Sequence, residues 1–416
     1  MNILSFKLFI AAVLLPGLLL AQLKTDPLFT SHMLLQCDHP LRFWGKNKPG
    51  QEVRAVSETI HVNGQTGADS TWMIEFPPRK PSADPFSVQF YSGQDSIRLS
   101  GLITGDVWIC IGQSNMEWPF SQDQYYIKEK DSLPVAYLRL WNPGYAGKNI
   151  YGVRYPDSVR RQLNQSLFYN QGWQVCDSVH AASMSAVALY FGRRIVRETK
   201  VPVGLVQLVI GGAPLETFIN PAALKSHPVF YKKMAGNWLY NDNLPVWVRQ
   251  RAGVQLAGDP PLDTDEYGPV HPYKPGYVWQ TALKHFFRLP VKGIIFYQGE
   301  SNAQELQRVT EYPDLFTIMM ENFRKESGQK ALPVYYVQLS SIDSSRYKSQ
   351  FWPLFRDRQR IIMERLPFSG MVVSSDAGDS TDVHPRDKKI VGERLASWAL
   401  ARTYRKKILA SGPLPY

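Results

Sequence analysis

The chain has 416 residues, of which 44% are hydrophobic and 20% are charged, a composition typical of folded globular proteins that excludes a disordered chain. Its net charge of +11 is spread along the sequence without a lysine or arginine block, and no aromatic-and-basic RNA-binding motif is present, so we predict no nucleic-acid partner. At about 150 residues per domain, this length predicts two or three domains.

The N-terminus has the pattern of an export signal. Lys7 supplies a positive charge, an apolar run covers Leu8 to Leu20, and Ala21 is a small residue at the predicted cleavage edge. The run is shorter than the roughly 20 residues that a transmembrane helix needs, although an uncleaved anchor is the alternative. We therefore predict that residues 1–21 are a signal peptide cleaved after Ala21. The protein is then secreted or periplasmic, and its mature chain has no membrane span.

Residues 22–103 are predicted to form a small N-terminal β-sandwich domain. Short segments with alternating apolar residues recur here about every ten residues, as in sandwich domains. Turn signals separate them, among them Lys48-Pro49-Gly50 and the hairpin signal Asn63-Gly64. The predicted strands are residues 41–45, 52–56, 72–76, 87–91 and 97–102.

From residue 104 to residue 405 the pattern changes to apolar strands that alternate with helical segments such as residues 186–196. This alternation predicts an α/β domain built on a parallel sheet. Within it, residues 220–275 are predicted to be an irregular loop or lid, and residues 406–416 a C-terminal tail. The predicted strands are residues 107–111, 205–210, 293–297, 334–339 and 371–374.

The cysteines and acidic residues predict no metal site. Cys37, Cys110 and Cys176 match no zinc spacing, and their odd number leaves at least one thiol unpaired. The sequence leaves open whether Cys110 and Cys176 form a disulfide. We predict that the protein uses no metal and no other cofactor.

The residues that follow the predicted parallel strands have the chemistry of acyl transfer. Ligands of open α/β sheets bind beyond the carboxyl ends of the strands. At these ends the sequence places a hydroxyl, a glycine pair, a carboxamide, and an acid next to a histidine: Ser114, Gly211-Gly212, Asn302, Asp382 and His384. Each is more often structural when it occurs alone. Together they supply a nucleophile, oxyanion donors, an orienting acid and a base, and they predict a serine esterase.

Three sequence blocks carry these residues: Gly112-Gln113-Ser114-Asn115-Met116, Tyr297-Gln298-Gly299-Glu300-Ser301-Asn302 and Asp382-Val383-His384-Pro385. They resemble the sialate O-acetylesterases, a family of the SGNH or GDSL-like hydrolase superfamily. The resemblance extends from residue 26 to residue 402 and includes the β-domain that precedes the esterase in this family. It implies a flavodoxin-like parallel sheet with helices on both faces, preceded by a small β-sandwich. The chain departs from the family in lacking an additional inserted β-domain, and its glycine pair follows Ile210 where tryptophan is usual.

The resemblance also implies the roles of the residues. Ser114 attacks the acetyl carbonyl, His384 is the base, and Asp382 orients the imidazole. The oxyanion is held by the backbone N–H groups of Ser114 and Gly212 and by the side chain of Asn302. Gly211 is the alternative to Gly212, and the competing acid is Asp379, five residues before the histidine.

Three further polar residues of these blocks, Gln113, Gln298 and Glu300, are predicted to bind substrate or to brace the site. Glu300 also raises the alternative of a glycosidase. That reaction needs a second carboxylate across the scissile bond, and the sequence names no obvious partner.

The substrate implied by the resemblance is an acetylated carbohydrate, with O-acetylated sialic acid as the first candidate. Acetylated plant hemicellulose or pectin is the alternative within the same chemistry, because the catalytic blocks report the reaction and not the sugar. From another class, a carbohydrate-binding protein on an inactive hydrolase scaffold is the rival. The presence of the complete catalytic set argues against it.

Overall fold

The computed structural model describes residues 23–132, 135–164, 168–169, 172–258, 263–343 and 348–413. The predicted signal peptide and the last residues of the predicted tail lie outside this part. In the described ranges, no helix is both long and apolar enough to cross a membrane.

The strands of the described chain are β1 Lys24–Thr25, β2 Leu34–Gln36, β3 Leu41–Lys46, β4 Glu52–Ser57, β5 Ile60–Gln65, β6 Thr71–Phe76, β7 Ser82–Ser92, β8 Asp95–Gly112, β9 Leu138–Trp141, β10 Trp173–Val175, β11 Val203–Val209, β12 Thr264–Asp265, β13 Gly268–Pro269, β14 Gly293–Tyr297, β15 Val334–Val337 and β16 Ser369–Val372.

The α-helices are α1 Ser114–Glu117, α2 Tyr126–Glu129, α3 Asp157–Arg161, α4 Ser178–Ser183, α5 Ala186–Thr199, α6 Pro221–Ser226, α7 Val246–Gln255, α8 Lys284–Phe286, α9 Leu306–Glu326, α10 Trp352–Arg365 and α11 Lys388–Trp398. Two π-helical segments adjoin α8 and α11, at Trp279–Leu283 and Ala399–Thr403.

The N-terminal part is a sandwich of two β-layers. One layer is the antiparallel sheet β1-β3-β6, and the other is formed by β2, β4, β5, β7 and the first half of β8. Phe43 of β3 and Trp72 of β6 pack on Phe90 of β7, with ring centroids 5.4 and 5.3 Å apart. Alternate residues of these strands point inward, as the period-two pattern of the sequence predicts.

Strand β8 runs through both parts of the protein. Its first half pairs with β7, and its second half pairs with β11 and β14 in the parallel sheet. The predicted strands 97–102 and 107–111 are therefore one strand, and the predicted domain boundary at residue 103 falls inside it. Gly101, with a φ of 68°, lies inside this strand without ending it.

The parallel strands lie in the order β9-β11-β8-β14-β15-β16, with β10 antiparallel at the edge beside β9. Without β9, the parallel strands have the 2-1-3-4-5 order of flavodoxin-like sheets. The chain leaves β8 towards β11 on one side and reaches β14 on the other, so the switch point of the sheet lies at the carboxyl end of β8.

Helices cover both faces of this sheet. Tyr335 of β15 stacks on Trp398 of α11, with centroids 6.3 Å apart, whereas its neighbour Tyr336 packs on Phe316 of α9 at 5.2 Å. Because successive residues of a strand point to opposite faces, α11 and α9 lie on opposite sides. The predicted fold class, an SGNH-type parallel sheet preceded by a small β-sandwich, is confirmed.

Three local features differ from the sequence analysis or complete it. Residues 220–275 contain α6, α7 and the small sheet β12-β13 and are not an irregular loop. Asn63-Gly64 lies inside β5, because the chain reverses earlier, in the two-residue turn Glu58-Thr59 between β4 and β5, where Glu58 has a φ of 54°. Cys37, Cys110 and Cys176 are free, buried thiols, so the structure contains no Cys110–Cys176 disulfide.

Candidate active site

Ser114 lies at the carboxyl end of the central strand. Strand β8 ends at Gly112, Gln113 is extended, and Ser114 begins helix α1. Gly112 leaves no space for a side chain, because a β-carbon there would lie 2.1 Å from the carbonyl oxygen of Tyr297 in the adjacent strand β14. This close approach of two strands places the serine hydroxyl at the switch point of the sheet, where ligands of such folds bind.

His384 lies against Ser114 although 270 residues separate them in the chain. Its Nε2 atom is 2.8 Å from the Ser114 hydroxyl oxygen, which is within hydrogen-bonding distance. Its Nδ1 atom is 3.5 Å from Oδ1 of Asp382, and this oxygen also accepts a hydrogen bond from the backbone N–H of His384 at 2.8 Å. Such hydrogen bonds are often long before substrate binds.

Asp379, the competing acid, has another role in this loop. Its Oδ1 atom accepts hydrogen bonds from the backbone N–H groups of Thr381 and Asp382, at 2.7 and 3.0 Å. The carboxylate therefore caps a turn. Of the two acids, only Asp382 contacts His384 among the interactions of the described residues.

The surroundings of His384 favour the neutral imidazole. Burial and the positive charge of Lys388 lower the pKa of His384, whereas Asp382 acts in the opposite direction. The ring also stacks on the indole of Trp118, with centroids 5.7 Å apart. A neutral imidazole is the form that can accept the serine proton.

Ser114 and Gly212 line the cavity, and their backbone N–H groups donate no hydrogen bond within the described chain. Gly212 has a φ of +77°, which favours glycine. The N–H of the alternative donor, Gly211, is directed at the Tyr145 hydroxyl at 3.3 Å. The geometry thus favours Gly212 over Gly211.

Asn302 does not reach the cavity. Its Oδ1 atom accepts hydrogen bonds from Leu215 N–H at 3.0 Å and Gln298 Nε2 at 2.8 Å, and its Nδ2 atom donates to Glu216 at 3.0 Å. The side chain is fully buried and engaged by these three partners. The prediction that Asn302 supplies an oxyanion donor does not fit this geometry, because the carboxamide is directed towards Leu215 and Glu216 beneath the site.

The carboxamide of Gln113, unlike that of Asn302, lies beside the cavity. Its Oε1 atom accepts hydrogen bonds from Gln298 Nε2 at 3.2 Å and from Ser301 N–H at 3.3 Å, which fixes the carboxamide. Its Nε2 group donates to no described residue, and the side chain lines the cavity. Gln298 is fully buried and braces Gln113 from below. Of the two carboxamides, only that of Gln113 has an unengaged N–H donor beside the cavity among the described interactions.

A buried network links Glu300 to the histidine loop. The Asn115 carboxamide donates to the Glu300 carboxylate in a short hydrogen bond and to the carbonyl of Val383 at 2.9 Å. Its oxygen accepts from the ammonium group of Lys388 at 2.5 Å. Burial raises the pKa of Glu300 and lowers that of Lys388 to about 7. Glu300 is thus tied into the protein, and Lys388, which sequence reasoning missed, is part of the site.

The cavity above Ser114 has a volume of about 750 Å³. Aromatic and charged side chains from separate segments line its walls: Trp118, Tyr151, Trp247, Glu117, Lys148, Arg251 and Lys348. Pockets of this size accommodate ligands as large as a mono- or disaccharide. Most of these wall residues lie outside the sequence blocks that predicted the site.

A second carboxylate, Glu117, shares this cavity with Glu300. It faces Lys148, with Oε1 and Nζ 3.4 Å apart, and accepts a hydrogen bond from the Tyr145 hydroxyl at 3.2 Å. Both carboxylates are buried, and burial raises the pKa of each. Across the described ranges, no three histidine, cysteine or carboxylate side chains are grouped so that they could hold a metal ion.

A serine and a histidine in contact, an acid beside the histidine, and free N–H donors at the same cavity are the parts that acyl transfer requires. On a flavodoxin-like sheet they form the site of a carboxylic ester hydrolase. The comparisons with known proteins agree. A family model described as a carbohydrate esterase, sialic acid-specific acetylesterase, matches residues 278–401.

Sialate O-acetylesterase from Homo sapiens is 28% identical over 403 residues, which cover 89% of this chain and 69% of the human protein. The Mus musculus sialate O-acetylesterase is 27% identical over 406 residues, with 89% and 72% covered. The crystal structure of a carbohydrate acetylesterase from Xanthomonas citri has the same fold, with a TM-score of 0.73, 24% identity, and 94% of this chain and 77% of that chain covered. The resemblance to the sialate O-acetylesterase family predicted from the sequence is confirmed.

Proposed function

We propose that this protein is an exported acetylesterase that removes O-acetyl groups from acetylated carbohydrate, with O-acetylated sialic acid as its substrate. The observation that carries the proposal is the 2.8 Å contact between Ser114 Oγ and His384 Nε2 at a cavity that also presents free N–H donors. The sugar is supported by the relatives, which are named sialate O-acetylesterases.

In the proposed reaction, Ser114 Oγ attacks the acetyl carbonyl carbon while His384 Nε2 takes the hydroxyl proton. The negative charge on the carbonyl oxygen is held by the N–H groups of Ser114 and Gly212 and by Gln113 Nε2. Collapse of this intermediate breaks the ester bond, and His384 donates its proton to the leaving sugar oxygen. Water, deprotonated by His384, then attacks the acetyl-enzyme and releases acetate. Asp382 stabilises the imidazolium throughout.

The test is acetate release from a panel of acetylated substrates with the purified wild-type protein. The panel contains O-acetylated sialic acid, acetylated xylan oligosaccharides, acetylated pectin fragments and 4-nitrophenyl acetate. We expect turnover of 4-nitrophenyl acetate and of acetylated sialic acid. If only the plant oligosaccharides release acetate, the proposed sugar is wrong and the proposed esterase reaction stands. Binding of glycans without any acetate release would support the inactive-scaffold alternative.

Export is proposed from the sequence of residues 1–21, with its positive residue, apolar run and small residue at the cleavage edge. N-terminal sequencing of protein from the extracellular or periplasmic fraction is expected to begin at Gln22. An N-terminus at Met1 in the membrane fraction would instead identify an uncleaved anchor.

A further inference from the structure

A cation at the cavity wall forms no ion pair with any residue that the structure describes. Arg251 lies on helix α7 and lines the cavity, but none of the ion pairs among the described residues includes it. Arg249, two residues earlier on the same helix, instead pairs with Asp242 at 2.9 Å. A guanidinium that is partly withdrawn from water and has no carboxylate partner in the described ranges is available to an anionic ligand.

The guanidinium is held in place by aromatic rings. Its carbon Cζ lies 4.9 Å from the centre of the Trp247 ring and 5.5 Å from the centre of the Tyr151 ring. Cation–π contacts of this kind orient the planar group, and one of its N–H groups also interacts with the Tyr273 hydroxyl. The orientation is therefore set before a ligand binds, which lowers the entropy cost of binding.

Arg251 is also next to the reacting centre. A β-carbon on Gly212 would lie 3.4 Å from Nη1 of Arg251 and 2.7 Å from the Tyr273 hydroxyl. Gly212 carries one of the proposed oxyanion donors. A group bound by Arg251 thus belongs to the molecule whose ester reacts at Ser114.

The two carboxylates of the cavity form no ion pair with Arg251 among the described interactions. Glu117 faces Lys148 at 3.4 Å, and Glu300 binds Asn115 and lies close to Lys388. Each carboxylate therefore interacts with other side chains of the protein. Lys348, exposed at the same rim, has no ion pair among the described residues and adds to the positive potential.

We infer that Arg251 binds a carboxylate group on the sugar, so that the preferred substrate is an acetylated acidic sugar. The planar, two-oxygen carboxylate matches the N–H edge of a guanidinium, which commonly binds it through two parallel hydrogen bonds. This inference rests on the proposed function, because it concerns the sugar whose acetyl group is removed at Ser114.

The experiment measures kcat/KM for wild type and Arg251→Gln on matched pairs of substrates. The pairs are O-acetylated sialic acid and its methyl ester, and acetylated galacturonic acid and its methyl ester, with 4-nitrophenyl acetate as a neutral reference. We expect Arg251→Gln to lower kcat/KM for the free acids by about tenfold to a hundredfold, the usual effect of a hydrogen bond to a charged group. The methyl esters lack the anionic group, so the ratio of kcat/KM for each free acid to kcat/KM for its methyl ester should fall by about the same factor.

Arg98→Gln is the matched control. It removes the same charge from an exposed position near the other end of β8 and should leave all five substrates unchanged. Arg251→Lys keeps the positive charge but lacks the two parallel N–H donors of the guanidinium. This variant should therefore lose part of the preference for free acids over methyl esters. Melting temperatures of all three variants show whether the fold is retained.

The outcomes separate the two proposals. If acetylated galacturonic acid is turned over with the Arg251 dependence but acetylated sialic acid is not, the proposed sugar is wrong and this inference stands. If acetylated sialic acid is hydrolysed equally well as acid and methyl ester, or if Arg251→Gln affects both forms equally, the inference is overturned and the esterase proposal stands. If only the methyl esters and 4-nitrophenyl acetate are turned over, this inference is overturned and the proposed sugar is wrong, whereas the esterase reaction stands.

Discussion

The indole ring of Trp118 stacks on the imidazole ring of His384, with centroids 5.7 Å apart and planes inclined by 22°. The ammonium group of Lys388 lies 5.5 Å from the centre of the same indole. The histidine proposed as the base is therefore flanked by a ring and a buried cation. Both stabilise its neutral form, the ring by excluding water and the cation by repelling a second positive charge.

This arrangement predicts the pH dependence of a Lys388→Met variant. Lys388 disfavours protonation of His384, so its removal raises the histidine pKa and moves the acidic limb of kcat/KM to higher pH. Turnover on the alkaline plateau should change much less, because His384 is neutral there in both proteins. The measurement is a pH profile with 4-nitrophenyl acetate for both proteins. An unmoved limb with an intact fold would mean that the Lys388 charge does not act on His384.

Ser114→Ala is expected to abolish ester hydrolysis and to leave the melting temperature near that of the wild type. The hydroxyl is the proposed nucleophile, and loss of a triad member leaves only the small catalysis supplied by binding and oxyanion donors. Acetate release and thermal unfolding are measured on the same preparations. Near-normal turnover in this variant would show that another group attacks the ester.

Gln113 and Asn302 are expected to separate into a catalytic and a structural residue. Gln113→Leu should lower kcat by about a hundredfold to a thousandfold with a smaller change in KM, as expected for one oxyanion donor. Asn302→Leu should mainly destabilise the fold, by about 1–3 kcal/mol, because Glu216 and Gln298 lose a buried partner. Urea unfolding and kcat per folded molecule distinguish the two effects. A larger loss of kcat in Asn302→Leu would restore Asn302 as the donor.

Asp382→Asn is expected to lose much more activity than Asp379→Asn. Asp382 lies beside His384 Nδ1, and the equivalent change in a Ser-His-Asp triad costs up to about 10⁴-fold in kcat. Asp379 caps a turn through one oxygen, which asparagine can replace. Comparison of kcat/KM for the two variants on one substrate tests this. The reverse ranking would transfer the role to Asp379.

The three thiols are expected to be unreactive in the folded protein. Cys37, Cys110 and Cys176 are free and buried, and burial raises the thiol pKa of Cys37 to about 12 and that of Cys176 to about 11. Reaction with a thiol reagent such as 5,5′-dithiobis(2-nitrobenzoic acid) should thus be negligible before unfolding and should titrate three thiols in guanidinium chloride without reductant. One titratable thiol would instead reveal a disulfide.

The sequence was sufficient to predict the structural features that depend on local residue patterns. Apolar runs with a period of two or with buried composition indicated most strands, and the rule that ligands bind beyond parallel strands singled out Ser114 and His384. It was not sufficient for β8, because continuous pairing with β7 and then with β11 and β14 makes one strand of two predicted segments.

Only the tertiary structure decided which side chains face the cavity. Asn302 follows strand β14 at the expected edge, yet hydrogen bonds to Leu215 and Glu216 turn its carboxamide into the protein, and Gln113 faces the substrate space. Arg251 and Lys388 carry no sequence signal, because they reach the site through helices α7 and α11, far along the chain from Ser114. Local periodicity sets where a strand ends, whereas the direction of a side chain depends on the partners that long-range packing brings to it.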